Sequence, residues 1–357
     1  MARASADLTR RQLLARAGAA AVGVAGAAAL SGVRVVPPAV ASVPRRCVAL
    51  GPAGCIAPGC PQDLRASGNR ALLADSGTRW VRLWADWPSL MPAPGAFAED
   101  RVAALDDQLA VARADGLRTI LTLYRTPKWV GRGVAAPAPW EAFVRWAIAR
   151  YGERLDFLEL SNEPNLGGTA PQTVAAMFVT AQRIADELGS PLALAGPATS
   201  DVRGYDRYTD RLLDALDARG FVAGPRFAWT HHNYADVAYG TSRTADVRRR
   251  LVGRWAGWPA ADGGDPQLLL TEGGVTLRTI ARRYGLADPT AQRAKQAELW
   301  TAAFDRLSGP EGAGVALVTQ YLFHTDPRYD SGLCETAERG GARRPAFAAW
   351  RALPSVA

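Results

Sequence analysis

The chain has 357 residues, 48% of them hydrophobic and 21% charged, and a formal net charge of +8. That balance excludes a disordered or low-complexity chain and leaves ample material for a packed core. It is not a nucleic-acid signature either. Residues 1–41 hold five Arg and one Asp, so half the excess lies there, and the rest is scattered among acids. Arg248-Arg249-Arg250 is the one notable run, and it reads as a solvated helix face.

Thr9-Arg10-Arg11-Gln12-Leu13-Leu14 is a twin-arginine opening, followed by an Ala/Gly/Val run over 17–30 that is too short and too weakly apolar to span a bilayer. Ala39-Val40-Ala41 then offers a small-residue cleavage site. Residues 1–41 are therefore expected to be an export signal, the alternative being a disordered or membrane-anchoring tail. Residues 42–357 are expected to form one domain, secreted or held in the cell envelope, monomeric and without stable membrane association. Cys47, Cys55, Cys60 and Cys334 all fall in that part. Export permits disulfides. Three of the four flank the first strand and the fourth follows the last, so a bridge from Cys334 to Cys55 or Cys60 is expected if those strands are neighbours. A zinc site is disfavoured, because none of the three histidines lies near a cysteine in sequence.

Eight apolar, strand-like runs follow one another at 47–50, 80–85, 119–124, 157–161, 192–195, 227–232, 268–271 and 315–322. Segments with apolar residues at helical spacing lie between them at 63–75, 99–114, 140–151, 171–188, 205–218, 244–255 and 291–307, and a last helix is expected over 345–352. Strands alternating with helices imply parallel pairing through crossover helices, and eight such units point to a single (β/α)₈ barrel. Gly51-Pro52-Ala53-Gly54 is not the phosphate loop a doubly wound sheet would need, since no helix opens after it. In a barrel the strand ends and the loops after them build the active site.

Two of those ends carry a lone glutamate. Leu158-Glu159-Leu160-Ser161-Asn162-Glu163-Pro164-Asn165 runs apolar into Glu163, and Pro164 stops the strand. Gln267-Leu268-Leu269-Leu270-Thr271-Glu272-Gly273-Gly274 repeats the pattern on the seventh strand. A single Glu is most often a surface carboxylate. Two that follow buried strands on the functional face suit glycosidic cleavage, with Glu163 as general acid/base and Glu272 as nucleophile. The Asn162 amide could bond a sugar 2-hydroxyl. His232 and Tyr234 share a face on the sixth strand, where Tyr234 could donate to the nucleophile. Arg82, on the second strand, could lower the pKa of Glu272 or form an interior ion pair with Glu159. Trp84, Trp87, Tyr124 and Trp129 fall at or just past strand ends, where flat rings stack on sugars. His324 follows the eighth strand and is a weaker candidate for the pocket. Trp140, Trp146, Trp300 and Trp350 read as packing residues, and His231 as a core histidine.

With these residues in order, the sequence resembles the large clan of retaining (β/α)₈ glycoside hydrolases. There the acid/base lies in an Asn-Glu-Pro motif after strand four and the nucleophile follows strand seven. Asn162-Glu163-Pro164 and Thr271-Glu272-Gly273 match those motifs, while His232-Asn233-Tyr234 and Arg82 resemble the strand-six and strand-two elements. The stretch over 158–166 is closest to the β-xylosidase/α-iduronidase and cellulase-like families, and Thr126-Pro127-Lys128-Trp129 is similar to a strand-three loop in them. The clan's strand-eight Trp is replaced by Gln320-Tyr321-Leu322-Phe323-His324, so Tyr321 or Phe323 would have to supply the sugar floor. The chain also ends soon after its last helix, which is more like the polysaccharide-cleaving members than the two-domain β-xylosidases. The resemblance implies a β-linked oligo- or polysaccharide substrate and no metal or organic cofactor. Rival readings are a transglycosylase, a binding barrel without catalysis, and an unrelated barrel lyase or aldolase. The Schiff-base form of the last is disfavoured, because only Lys128 and Lys295 exist and neither falls on a strand.

Overall fold

The computed structural model describes residues 43–50, 63–130, 137–224, 226–254, 267–336 and 341–354. Eight strands close a barrel in sequence order, every neighbour parallel. They are β1 Arg45–Ala49, β2 Trp80–Asp86, β3 Arg118–Tyr124, β4 Phe157–Glu159, β5 Ala193–Thr199, β6 Phe227–His232, β7 Leu268–Gly273 and β8 Val315–Gln320. Around them run α1 Ser67–Asp75, α2 Trp87–Leu90, α3 Glu99–Ala114, α4 Pro137–Tyr151, α5 Pro171–Glu187, α6 Tyr205–Asp217, α7 Tyr234–Tyr239, α8 Arg243–Arg254, α9 Leu277–Tyr284, α10 Pro289–Leu307 and α11 Pro345–Ala352. The (β/α)₈ barrel is thus the observed fold.

Local chemistry sets the helix ends. Asp288 caps α10 by accepting from the Thr290 and Ala291 N–H groups, with Pro289 at the first helical position. Thr276 caps α9 through the Thr279 N–H. Helix α1 starts at Ser67 rather than 63, because Asp63 turns inward to pair with Arg65 while its carbonyl accepts from Asn69. Short α2, α7 and α9 were not expected. They carry four, six and eight residues, too few for a helical periodicity to register.

The interior is layered. One apolar or small side chain from each strand, Cys47, Trp80, Ile120, Phe157, Ala195, Ala228, Leu269 and Leu317, packs into a cluster of its own. Two residues further along, alternation brings Arg82, Thr122, Glu159 and Thr271 to the same inner face. The apolar layer plugs the barrel, and the polar layer above it is the base of the functional face. Arg46 secures the opposite end by donating to the Ser76, Gly77 and Trp350 carbonyls.

Cys47 and Cys334 are buried free thiols. Cys55 and Cys60 lie outside the described residues, as do the expected signal and residues 51–54, so no disulfide to Cys334 is present among the described residues. No helix among them is long and apolar enough to cross a membrane.

Candidate active site

Glu159 organises the polar layer. It is fully buried and accepts from Arg82 Nε at 2.9 Å and Nη2 at 2.5 Å, from Thr122 Oγ1 at 2.7 Å and from Thr271 Oγ1 at 2.7 Å. A buried carboxylate is tolerable when every lone pair is met in this way. Burial pushes its pKa up, but the Arg82 charge and these donors outweigh that and hold it below the ordinary carboxylate range. Arg82 touches both carboxylates the sequence suggested for it. Beyond Glu159, Nη1 donates to Glu272 Oε1 at 2.5 Å and Nη2 to Asn162 Oδ1 at 2.7 Å. Burial opposes its charge, yet the two carboxylates raise its pKa still further.

Glu272 ends β7 and is held from two sides. Arg82 stands on one oxygen, and the Tyr234 hydroxyl donates to the other at 2.5 Å. Burial, and then the charge of Glu272, push the Tyr234 pKa well up, so it stays a donor. Gly273 makes this approach feasible. A Cβ there would lie 2.2 Å from Asn233 Oδ1, so any larger residue would part β7 from the segment that carries Tyr234.

Glu163 stands past the end of β4 in a left-handed backbone conformation, φ 45°. Such a conformation costs a non-glycine residue roughly 1–2 kcal/mol and is maintained only by its surroundings. Here the Glu163 N–H donates to Ala198 O, and the Leu166 and Gly167 N–H groups donate back to Glu163 O. His232 Nδ1 lies 3.0 Å from Glu163 Oε1 and 3.6 Å from Glu272 Oε2, and so sits between the carboxylates. Burial lowers the pKa of His232, but the Glu272 charge and the Glu163 hydrogen bond more than reverse this and raise it. Burial raises that of Glu163, but His232, Ser200 and Arg82 together lower it. Both shifts favour a protonated His232 beside an ionised Glu163.

One oxygen each of Glu163 and Glu272, together with His232 Nδ1, lie within 4.8 Å of one another. Three such donors could also hold a cation. The Arg82 guanidinium 2.5 Å from Glu272 argues against it, because a fixed positive charge already occupies that side. Asn162, beside the acid, is held by Arg82.

The aromatic candidates divide. Trp84 lies under the Arg82 guanidinium at 4.2 Å, with the Tyr124 ring 5.2 Å from it, so both adjoin the site. Tyr321 follows β8 directly and meets Tyr234 at 6.2 Å, so it too adjoins the site. Trp129 is half-buried against the main core, its Nε1–H on the Met91 carbonyl and its ring edge-on to Trp87 at 6.1 Å. Three expectations need correcting. The chain turns into α2 directly after β2, which folds Trp87 under the sheet to stack on Phe143 at 4.8 Å. Phe323 is buried, its N–H bonded to Ala49 O and its ring against Phe347. His324 is buried, and its two ring nitrogens meet Asn69 Oδ1 and Glu335 O. His231 is a core residue as expected, beside Thr199 Oγ1 at 3.1 Å, and burial drops its pKa to about 3. Trp140, Trp300 and Trp350 are core as well.

Tyr329 was missed. Its ring lies 5.6 Å from Tyr234 and 5.2 Å from Tyr321, completing a three-tyrosine wall beside Glu272. It comes from a loop without periodicity, so spacing gives no signal for it. Thr122 was also missed, although its alternation with Ile120 on β3 predicts an inward side chain.

No protein-family model matches the sequence, and neither does the sequence of any curated protein. Solved structures do share the fold. A family 39 glycoside hydrolase from the gut symbiont Bacteroides cellulosilyticus WH2 superposes with a TM-score of 0.59 at 14% identity, over 90% of this chain and 66% of that one. A GH5_18 protein from Streptomyces cattleya, solved with GlcNAc, gives a TM-score of 0.59 at 19% identity, over 89% and 83% of the two chains. A glucosidase from Croceicoccus marinus gives 0.61 at 16% identity, over 88% and 68%.

Proposed function

We propose that this protein is a retaining glycoside hydrolase that cleaves β-linked oligo- or polysaccharides, with Glu272 as nucleophile and Glu163 as general acid/base. The observation that carries the reading is the approach of the two carboxylates, oxygens within 4.8 Å, from the ends of β4 and β7. Double displacement needs the pair about 5–5.5 Å apart, whereas inversion needs about 6.5–9.5 Å to admit a water between carboxylate and sugar.

Glu272 is built to attack. Arg82 and Tyr234 aim it, and the bond it forms to the anomeric carbon yields a glycosyl-enzyme ester as the leaving oxygen departs. Glu163 must first hold a proton. Its side chain is 24% exposed. A bound sugar would cover it, remove its water and favour the neutral acid, and the donor is His232, 3.0 Å away. Glu163 then gives that proton to the leaving oxygen. As a carboxylate it later takes one from the water that opens the ester. Every step uses side chains of this chain. The twin-arginine opening and small-residue cleavage site support export of the domain as a secreted or envelope-held enzyme. A binding barrel without catalysis has no need of the second carboxylate or of the donors aimed at it.

The test is a pair of variants assayed on a panel of activated aryl glycosides. Glu272→Ala should abolish turnover. Glu163→Ala should spare the first step for leaving groups that need no proton and slow release of the sugar, with azide restoring turnover. Normal activity of Glu272→Ala would refute the assignment.

A further inference from the structure

Outside the residues that touch the reacting pair, the loop after β5 holds a second buried carboxylate. Asp201 is 3% exposed, and its Oδ2 accepts from the backbone N–H of Ala235, the residue after Tyr234. That N–H belongs to the first turn of α7, where no carbonyl one turn earlier is available. Asn233, at the N-cap of α7, makes no side-chain cap of its own. The cap is supplied instead from the neighbouring strand end.

The same loop is tied to the other carboxylate. Asn165 donates to Ser200 O and accepts from the Ser200 N–H, which fastens the loop to the turn that carries Glu163. Helix α7 has six residues, far too few to hold its shape unaided. Asp236, also in its first turn, ties it to the start of α8: its carboxylate accepts from the Arg243 and Thr244 N–H groups and the Thr241 hydroxyl. The near end of α7, which bears Tyr234, is anchored by Asp201.

We infer that Asp201 is a positioning residue for the nucleophile: by capping α7 from the β5 loop it fixes the Tyr234 hydroxyl on Glu272. The inference deepens the hydrolase reading and rests on it. The groups facing Asp201 are Asp236 from α7, Arg243 from α8, His232 from β6 and Tyr329 from the loop after β8. Burial first, and then Asp236, push its pKa up to about 7, against the pull of the Ala235 N–H, Arg243 and His232. A neutral carboxyl still accepts through its carbonyl oxygen, so the cap survives protonation and an amide should replace it.

The experiment is a double-variant cycle on the full chain, read as kcat and KM for an aryl glycoside at pH 6, with circular dichroism as the folding control. Asp201→Ala should lower kcat by about 10–100-fold with KM within about threefold, as expected for misplacement of a group that acts in the transition state. Asp201→Asn should restore most of it. In a Tyr234→Phe background, Asp201→Ala should cost less than about threefold, because the hydroxyl it positions is gone. Should Asp201→Ala fail to fold, Asp201→Ser takes its place in the cycle. Equal losses in both backgrounds, or an Asp201→Asn as damaging as Asp201→Ala, would overturn the inference while leaving the hydrolase reading intact. Absence of turnover in the unsubstituted protein would sink both.

Discussion

Two buried arginines on neighbouring strands divide the barrel's ends between fold and chemistry. Arg46, on β1, donates to the Ser76, Gly77 and Trp350 carbonyls beyond and within the last turns of α1 and α11. Helix ends leave carbonyls unbonded and carry the negative pole of the helix, so a cation there closes the N-terminal face. It has no carboxylate partner among the described residues, and burial lowers its pKa. Arg82, on β2, meets Glu159, Glu272 and Asn162, and its pKa is raised. Both are desolvated cations. One is matched by backbone dipoles that cannot change charge; the other is matched by a carboxylate free to react. In this fold the N-terminal face serves stability and the C-terminal face function, and these two residues show the physical form of that division.

The comparison breaks most visibly at Arg82. Arg82→Met leaves Glu159 buried without its cation, which should cost about 3–5 kcal/mol of stability. It also removes a donor from Glu272, and kcat/KM should fall by about 10²–10³-fold, as for loss of one preorganised charge donor. Denaturant unfolding and aryl glycoside kinetics measure the two effects. Arg46→Met should cost less, about 1–3 kcal/mol from carbonyls left unbonded, and should leave kcat unchanged. An Arg46→Met variant of normal stability and low kcat would reverse the proposed division.

A smaller effect is read from pH. The raised His232 contributes stability that is full below its ordinary value of 6.5 and is lost as pH rises through its folded value. The depressed Glu163 contributes above its ordinary value of 4.5, and this is lost as pH falls through its folded value. The difference in Tm between the protein and Glu163→Gln should therefore be largest between pH 4.5 and 6.5 and shrink on both sides. The smallest effect belongs to an exposed arginine. Arg254 pairs with Asp214 and Asp217 at the surface, and Arg254→Ala should cost about 0.2–1 kcal/mol, with kcat unaffected.

The fold was legible because a parallel barrel repeats one pattern eight times, so errors at single boundaries did not disturb the count. The paired carboxylates were legible because each follows an apolar run and precedes Pro164 or Gly273, although β4 itself ends at Glu159 and Glu163 stands in the turn beyond it. Arg82, Glu159 and His232 were readable from alternation on strands, where side-chain direction has period two, whereas Tyr234, expected on the sixth strand, opens α7 instead. What escaped depends on how the chain leaves a strand. Trp87 and Phe323 lie one and three residues beyond β2 and β8, and nothing local says that the backbone there turns inward. Asp201 and Tyr329 act across loops, and loop paths are fixed by tertiary contacts such as Asn165 with Ser200.

The most direct measurement is the anomeric configuration of the sugar first released by the unsubstituted protein, followed by proton NMR before mutarotation. Carboxylates this close predict a product with the configuration of the substrate. A first-formed product of the opposite configuration would contradict the account.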